Sequence, residues 1–184
     1  MFVGFFSRDK RPDLLFRAWT HVVERGIRAK LVYIGATASP YFEIDEAIAQ
    51  GIRTGACASG RPDDVVFVPP THAMERYYRA ADVFVLPSVR EAHPVALLEA
   101  MACGLPCVAS RIDGATDVVL EDGVNGRLVE RDDEAELAAA LTDVLSNAAR
   151  ARALGDQARR TIETRYDVRQ TAERWLDAYR TVLQ

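Results

Sequence analysis

Apolar and polar positions alternate along this chain in two patterns, one predicting strands and the other predicting helices. Continuous apolar runs are typical of strands that are buried on both faces of a parallel sheet. Longer segments repeat apolar residues with the spacing of one helix face. The predicted strands cover residues 1–6, 31–34, 65–68, 83–86, 107–109 and 127–129. The predicted helices cover residues 13–25, 41–50, 74–81, 94–103, 132–146, 148–166 and 168–184.

Individual residues mark where some of these elements begin and end. Pro94 suits the start of a helix because its fixed φ is already helical and its missing N–H is not needed there. Gly104 is a natural helix stop. Thr71, with Glu75 close to capping-box distance, is the predicted N-cap of the helix at 74–81.

The order of these elements predicts the fold class. Strands and helices alternate up to residue 129 and helices alone follow. This order favours a Rossmann-like α/β domain, a doubly wound parallel sheet of about six strands with helices on both faces. We expect one domain over residues 1–184, with a helical C-terminal extension over 148–184. A turn-rich connection is predicted over 51–61, and a loop with a short helix ending at Leu120 over 111–120.

Composition narrows the class of protein. Of the 184 residues, 49% are hydrophobic, and the formal net charge of −4 gives no support to nucleic-acid or broad membrane-surface binding. No apolar run approaches the length of a membrane span, and no basic segment precedes an apolar run as in a signal peptide. The cysteines Cys57, Cys103 and Cys107 predict free thiols in a reducing compartment, and therefore a cytoplasmic protein.

The segment of residues 83–110 carries the candidate chemistry. Glu91 follows a predicted strand and Glu99 lies on the next helix, with seven residues between them. Ligands of doubly wound sheets bind outside the carboxyl ends of the strands. The N–H groups of Val95 and Ala96, at the start of that helix, suit a phosphate. A phosphate between two carboxylates indicates a ligand with phosphates in the middle and hydroxyls at both ends, such as a nucleotide sugar.

The two glutamates, followed by Ala-Met-Ala-Cys-Gly-Leu-Pro at residues 100–106, resemble the E-x7-E signature of retaining glycosyltransferases with the GT-B fold, the family-4 type. The resemblance covers nearly the whole chain, but only the C-terminal, donor-binding half of such an enzyme. It implies transfer of a sugar from a nucleoside diphosphate sugar, such as a UDP- or GDP-sugar, to a hydroxyl of a glycan, lipid or small molecule.

The family's acceptor site lies mainly in an N-terminal domain, which we expect to be missing from this chain. The resemblance therefore implies that the chain alone binds nucleotide and transfers sugar poorly or not at all. Any peripheral association with the inner membrane would come from that missing domain.

The resemblance also implies roles for single residues. Glu99 holds the ribose hydroxyls of the donor, and Glu91 reaches the hydroxyls of the donor sugar. The family usually has Gly-aromatic-Gly after the first glutamate, whereas this chain has Ala92, His93 and Pro94. Because Pro94 removes one backbone donor, the N–H groups of Ala92 and His93 are left to face the sugar. The His93 ring either touches the ligand or fills the place of an aromatic side chain.

The loop after the first strand resembles the family's Gly-Arg-…-Lys loop, whose basic residues bind the donor diphosphate. Gly4 and Lys10 match this pattern, and Lys10 is expected to bind phosphate and to stabilise the departing diphosphate. Phe5 stands where arginine is typical. Either Arg8 or Arg11 replaces that arginine, or both are ordinary solvated loop charges.

Other positions resemble family features more weakly. The loop after Val68 lies where the family binds the base, largely through backbone groups. Gly35 ends an apolar run as in the family, and Asp113 with Gly114 resembles a glycine turn that faces the phosphates. Asp117 falls where a glutamate is common, but we expect it to be an ordinary charge at a helix N-terminus.

Missing motifs weigh against other functions. The sequence has no G-x-G-x-x-G fingerprint and no P-loop, so dinucleotide oxidoreduction and Walker-type ATP hydrolysis lose support. It has no Asp-x-Asp and no zinc-spaced cluster, so no metal and no other cofactor is expected. Two alternatives stay open: a non-catalytic nucleotide- or partner-binding module, favoured by Phe5 and Pro94, and a sugar-nucleotide epimerase or phosphorylase that shares the fold.

The last predicted helix carries Trp175, Leu176 and Tyr179 on adjoining positions. Such an apolar face either packs on the chain's own domain or docks against a preceding domain. We expect the first arrangement.

Overall fold

The computed structural model describes residues 1–38 and 43–183. Within them, parallel strands alternate with helices and then give way to helices alone, as the sequence predicts. The strands are β1 (Phe2–Val3), β2 (Leu31–Ile34), β3 (Val65–Val68), β4 (Phe84–Leu86), β5 (Cys107–Ser110) and β6 (Arg127–Val129). The helices are α1 (Pro12–Glu24), α2 (Glu46–Ala58), α3 (Met74–Ala80), α4 (Val95–Ala102), α5 (Glu134–Ser146), α6 (Ala148–Arg165) and α7 (Val168–Val182), with a 3-10 turn at Pro62–Asp64.

The strands form two parallel sheets, in the orders β1-β2-β3 and β4-β5-β6. The backbone of Met1 joins them, because the Val85 N–H donates to the Met1 carbonyl at 2.9 Å and the Met1 nitrogen donates to the Val83 carbonyl at 2.6 Å. The strand order across the molecule is therefore β3-β2-β1-β4-β5-β6. This order confirms the predicted doubly wound parallel fold, and it places the topological switch point between β1 and β4.

Alternate strand residues point into two cores on opposite faces of the sheets. Tyr33, Val85 and Val108 belong to one core, whereas their chain neighbours Ile34 and Phe84 belong to the other. The first core also contains buried side chains of α1, α2 and α5, and the second contains those of α3 and α4. Helices therefore cover both faces, as the predicted right-handed crossovers require.

Helix α2 differs most from its prediction. It begins at Glu46 and runs through to Ala58, so the predicted helix at 41–50 and the turn-rich connection at 51–61 are both misplaced; residues 41 and 42 lie outside the described residues. The side chain of Asp45 caps the helix by accepting from the Ala47 N–H at 3.1 Å. Gly55 lies inside this helix, and glycine suits the position because a Cβ there would come within 2.6 Å of the Phe16 ring.

The predicted short helix before Leu120 is also wrong, because residues 113–119 form turns. The hydroxyl of Thr116 donates to the Ser110 carbonyl at 2.6 Å and accepts from the Ile112 N–H at 2.8 Å. These side-chain bonds satisfy backbone groups that a helix would otherwise have paired.

Several predicted boundaries differ from those of the structure by a few residues. The first strand is confined to Phe2–Val3 although its apolar run continues to residue 6. The N-cap of α3 is Ala73, and Thr71 instead accepts a hydrogen bond from the Ala73 N–H at 3.2 Å. Pro94 is the N-cap of α4 and precedes the first helical residue.

The expectation that the last helix packs on its own domain is wrong for the residues that the structure describes. No side chain of α7 is buried over Val168–Val182. Trp175 and Tyr179 are each 60% exposed, with their ring centroids 5.9 Å apart. The helix begins at a side-chain cap, since Asp167 accepts from the Arg169 N–H at 2.8 Å. It therefore stands as an amphipathic helix whose apolar side faces solvent.

Candidate functional site

The loops that follow β1 and β4 meet at the switch point. The Val89 N–H donates to the Asp9 carbonyl at 2.8 Å, which ties the two loops together through their backbones. Beside this bond, the Lys10 ammonium donates to an Oε1 of Glu91 at 2.7 Å. Lys10 and Glu91 side chains are 22% and 7% exposed. The structure thus brings together the two residues for which the sequence predicts catalytic roles.

A cavity of about 870 Å³ opens over this pair. Its volume lies within the usual range for small-molecule and cofactor sites. One wall is formed by the loop after β1, a second by the loop after β4, and a third by the start of α2. The lining residues are Phe5, Ser7, Arg8, Asp9, Lys10, Glu43, Ile44, Asp45, Glu46, Ala47, Arg90, Glu91 and Ala92.

The cations in this lining are all paired with carboxylates. Besides the Lys10–Glu91 pair, the Arg8 guanidinium lies 3.4 Å from Asp45, and the Arg90 guanidinium donates to Asp9 at 2.8 Å. Arg8 and Arg90 are 88% and 82% exposed. Exposed pairs of this kind are worth only about 0–1 kcal/mol. An entering anion could therefore replace Asp45 or Asp9 as the partner of either arginine.

The two arginines proposed as substitutes for the family arginine lie in different places. Arg8 lines the cavity, whereas Arg11 is absent from its lining and forms ion pairs with Asp13, at 3.3 Å, and with Asp132. Phe5, at the position where arginine is typical, has the Lys10 ammonium 5.8 Å from its ring centroid. That distance is within the range of a cation–π contact.

Arg90 is a site residue that sequence reasoning missed. It lines the cavity beside Glu91 and crosses to Asp9 on the opposite loop. The available signal was its position, since it precedes Glu91 directly on a loop at the carboxyl end of a strand.

Glu99 lies on α4, outside the lining of this cavity. It is exposed, and its Oε2 accepts a hydrogen bond at 2.9 Å from the hydroxyl of Tyr78, which is 2% exposed. Burial raises the pKa of Tyr78, and the bond to Glu99 raises that pKa further. The two signature glutamates therefore do not share this cavity: Glu91 lines it and Glu99 does not.

The start of α4 differs from the prediction in one respect. The Val95 N–H donates to the His93 carbonyl at 2.9 Å, so Val95 does not offer the free donor that the sequence predicts. The chain turns tightly over His93–Val95 with Pro94 at the centre of the turn, and the His93 carbonyl is the acceptor. Ala92 and His93 are exposed beside the site, and Ala96 is half-buried.

The remaining predicted site residues lie near the strand ends but outside the cavity lining. The Gly4 N–H donates to the Ile34 carbonyl, and the Gly35 N–H donates to the Val68 carbonyl, each at 3.0 Å. Gly35 is required here because a Cβ would collide with the carbonyl of Gly4.

Asp113, Gly114 and Asp117 lie on the exposed side of the turns that replace the predicted short helix. Asp117 therefore is not the helix N-terminal charge that the sequence predicts. Among residues 1–38 and 43–183, no three potential ligating side chains (His, Cys, Asp or Glu) come together as a metal site. In the same part of the chain, no helix is both long enough and apolar enough to cross a membrane.

Comparison with known proteins gives consistent results. The family described as Glycosyl transferases group 1 matches residues 1–147. The D-inositol 3-phosphate glycosyltransferase of Geodermatophilus obscurus is 38% identical over an alignment of 152 positions, gaps included, which covers 79% of this chain and 33% of that protein. The enzyme of the same name from Saccharomonospora viridis is 35% identical over an alignment of 194 positions, gaps included, which covers 99% of this chain and 42% of that protein. The chain thus spans less than half the length of these two curated relatives.

Solved structures show the same fold. Anabaena Alr3699/HepE in complex with UDP superposes with a TM-score of 0.83 at 21% identity, over 98% of this chain and 48% of that chain. The C-terminal domain of a glycosyl transferase group 1 family protein (LpcC) from Francisella tularensis superposes with a TM-score of 0.79 at 22% identity, over 91% of this chain and 86% of that domain. The chain corresponds to the C-terminal half of GT-B glycosyltransferases, and by its family match it belongs to the group 1 glycosyltransferases.

Proposed function

We propose that this chain binds the nucleoside diphosphate sugar of a retaining glycosyltransferase in the crevice between the loops that follow β1 and β4. The observation that carries the proposal is the 2.7 Å contact between Lys10 and Glu91 across the topological switch point. It puts a cation for phosphate and an acceptor for sugar hydroxyls side by side, where open α/β sheets bind their ligands.

In the proposed reaction, the bond between the sugar and the diphosphate breaks and negative charge builds on the departing diphosphate. Lys10 stabilises that charge, and because an ammonium group has three donors it can hold Glu91 and a phosphate oxygen together. Glu91 accepts hydrogen bonds from the sugar hydroxyls and orients the ring. Catalysis by these residues is electrostatic and positional: the acceptor oxygen bonds to the sugar, and the hydroxyl proton passes to the departing diphosphate.

Arg8 and Arg90 are proposed as the further phosphate ligands, each leaving its carboxylate partner when the diphosphate enters. Glu99 of α4, which lies outside the cavity lining, is proposed to accept hydrogen bonds from the ribose hydroxyls. The N–H groups of Ala92 and His93, together with Ala96, complete the proposed contacts to the sugar and phosphate. The loop beyond Val68 is proposed to hold the base.

The identities of the donor and the acceptor are proposed from the similar proteins. UDP is bound in the Anabaena structure, so a UDP-sugar is the first donor to test. The curated relatives are named for D-inositol 3-phosphate, so this compound is the first acceptor to test. Because those relatives extend well beyond the matched region, we propose that acceptor binding needs a further domain and that the 184-residue chain transfers poorly. The free cysteines Cys57, Cys103 and Cys107 are consistent with a cytoplasmic setting.

The proposal is tested by measuring UDP and uridine affinity by calorimetry for the wild type and for Lys10→Met and Lys30→Met. Lys30 is a matched control because it precedes β2, at the opposite end of the strands. Lys10→Met should weaken UDP binding about tenfold, the usual scale for loss of a charge-assisted bond, and should leave uridine binding nearly unchanged. Equal UDP affinity in the wild type and Lys10→Met would remove Lys10 from the site.

A second candidate function is a nucleotide-binding module without catalysis. It is favoured by Phe5 in place of the family arginine and by the carboxylate partners of Arg8, Lys10 and Arg90. Incubation of the chain with a UDP-sugar separates the two candidates. A glycosyltransferase half should hydrolyse the donor slowly, whereas a binding module should leave it intact.

A further inference from the structure

Tyr78 and Glu99 are linked by a hydrogen bond that the proposed chemistry does not use. Tyr78 lies on α3 and is buried, whereas Glu99 lies on the exposed side of α4. The Tyr78 hydroxyl donates to Glu99 Oε2 at 2.9 Å. A glutamate on an exposed helix surface ordinarily samples several rotamers, and this bond selects among them.

The tyrosine ring is itself held in place. It packs edge-on against Phe84 of β4, with ring centroids 6.0 Å apart and an interplanar angle of 62°. Phe84 is fully buried. Because the ring is fixed by the core, its hydroxyl is a fixed donor at the edge of the site. A tyrosine hydroxyl is already protonated at neutral pH, and burial raises the pKa of Tyr78 further above its ordinary value.

We propose that Tyr78 is a positioning residue that fixes the Glu99 carboxylate for the two ribose hydroxyls of the donor nucleotide. The inference rests on the proposed placement of the ribose at Glu99. With Oε2 held by Tyr78, the other oxygen and the remaining lone pairs of Oε2 stay available to the vicinal hydroxyls. Specificity for a ribonucleotide then depends on a side chain that never touches the ligand.

The experiment compares UDP with 2′,3′-dideoxy-UDP, which keeps the base and the diphosphate but lacks both ribose hydroxyls. Affinities are measured by calorimetry for the wild type, Tyr78→Phe, Tyr77→Phe, Glu99→Gln and the double variant Tyr78→Phe/Glu99→Gln. Tyr77→Phe is the matched control, because Tyr77 lies on the same helix and is half-buried. Like Tyr78→Phe, this substitution removes one phenolic hydroxyl, but from the adjacent residue.

The wild type should bind UDP at least about tenfold more tightly than the dideoxy compound, because hydrogen bonds to a charged carboxylate have about this effect on affinity. Tyr78→Phe should remove most of that preference. Tyr77→Phe should keep the preference. Tyr78→Phe should leave dideoxy-UDP affinity unchanged, and it should add nothing to Glu99→Gln, because both substitutions then act through one carboxylate.

The remaining outcomes separate two kinds of failure. A wild type that binds both compounds equally would overturn the ribose assignment of Glu99, and the role of Tyr78 with it. A wild type that discriminates, with Tyr78→Phe discriminating just as well, would overturn the role of Tyr78 alone. Parallel loss of both ligands in Tyr78→Phe would show a purely structural role and would also overturn the positioning role.

Discussion

Lys10 Nζ and Glu91 Oε1 lie 2.7 Å apart although 81 positions separate the two residues in the chain. The lysine lies in the loop after β1 and the glutamate in the loop after β4, and these two strands belong to different three-stranded sheets. The contact is therefore a product of topology, since the strand order makes β1 and β4 neighbours. In the proposed donor complex, Glu91 would therefore compete with the diphosphate for the charge of Lys10.

Glu91→Gln should therefore raise UDP affinity while abolishing the advantage of a UDP-sugar over UDP. Without a carboxylate partner, Lys10 gives its full charge to the diphosphate. An increase of about fivefold, equivalent to about 1 kcal/mol, is the scale of a partly exposed ion pair. The loss of the sugar advantage follows because Glu91 is the proposed hydroxyl acceptor. Calorimetric titration with both ligands measures the two effects.

Glu46→Gln is the control for that experiment, since Glu46 lines the same cavity. It removes one negative charge without breaking the Lys10–Glu91 pair. If Glu46→Gln raises UDP affinity as much as Glu91→Gln does, the effect is one of overall cavity charge, and direct competition for Lys10 is excluded.

Replacing each of two helical glycines with alanine should change the free energy of unfolding in opposite directions. A Cβ at Gly51, in α2, meets no atom of the described residues within 4 Å, so Gly51→Ala should stabilise the protein by about 0.5–1 kcal/mol through helix propensity. A Cβ at Gly155, in α6, would collide with the carbonyl oxygen of Gly104. Gly155→Ala should therefore destabilise by about 1–3 kcal/mol despite the same gain in propensity.

Urea unfolding of both glycine variants measures these free energies. Each substitution serves as the control for the other, since both add one methyl group inside a helix. Stabilisation by Gly155→Ala would mean that α6 and the turn at Gly104 do not approach as closely as the structure indicates.

Glu134 should make stability depend on pH in the acid range. Its carboxylate, at the start of α5, accepts from Arg17 of α1 at 2.6 Å and contacts His21 at 2.9 Å. The hydrogen bond from Arg17 lowers the pKa of Glu134 below its ordinary value of 4.5. A carboxyl whose pKa is lower in the folded state stabilises the protein above its unfolded pKa. That contribution is lost as pH falls through the folded value.

Glu134→Gln should accordingly cost about 0.5 kcal/mol at pH 7, the scale of a partly exposed pair, and the difference from wild type should vanish well below pH 4.5. Glu46→Gln again provides the control, because Glu46 also opens a helix that an aspartate caps. Urea unfolding at several pH values gives the two curves. A difference that stays constant with pH would rule out titration of Glu134 as its cause.

The two tryptophans should differ sharply in their contribution to stability. Trp19 is 3% exposed and its indole N–H donates to the Ala29 carbonyl at 3.0 Å, whereas Trp175 on α7 is 60% exposed. Trp19→Ala should cost about 3–5 kcal/mol, and Trp175→Ala should stay within about 0.5 kcal/mol. Chemical unfolding followed by circular dichroism measures both. A large cost at Trp175 would mean that α7 packs on its own domain after all.

The sequence predicts most of the fold because its strands are short, largely apolar runs bounded by glycine, proline or charged residues. β2, β3 and β6 coincide with their predictions for this reason. The position of α2 could not be predicted, because the glycines at 51 and 55 are local turn signals. At Gly55 a larger residue would collide with the Phe16 ring, a tertiary contact that the local sequence does not show.

The candidate site is predictable to the same extent. Lys10 and Glu91 are predicted because each follows a strand and matches a motif of the family that the sequence resembles. The Arg90–Asp9 pair and the bond from Val95 to His93 depend on the path of two loops, which no periodic pattern encodes. The partner of Glu99 is likewise hidden from the sequence, since Tyr78 lies on another helix.

The backbone of Met1 joins the β1-β2-β3 sheet to the β4-β5-β6 sheet through hydrogen bonds to Val83 and Val85. A donor held by the loops after β1 and β4 at once would bridge this seam at its carboxyl end and act as a cross-link between the two halves of the molecule. A bound donor should then reduce local opening between the two sheets. The expected sign is slower solvent exchange at the Val85 amide, which bonds to Met1 and takes no part in the proposed donor contacts.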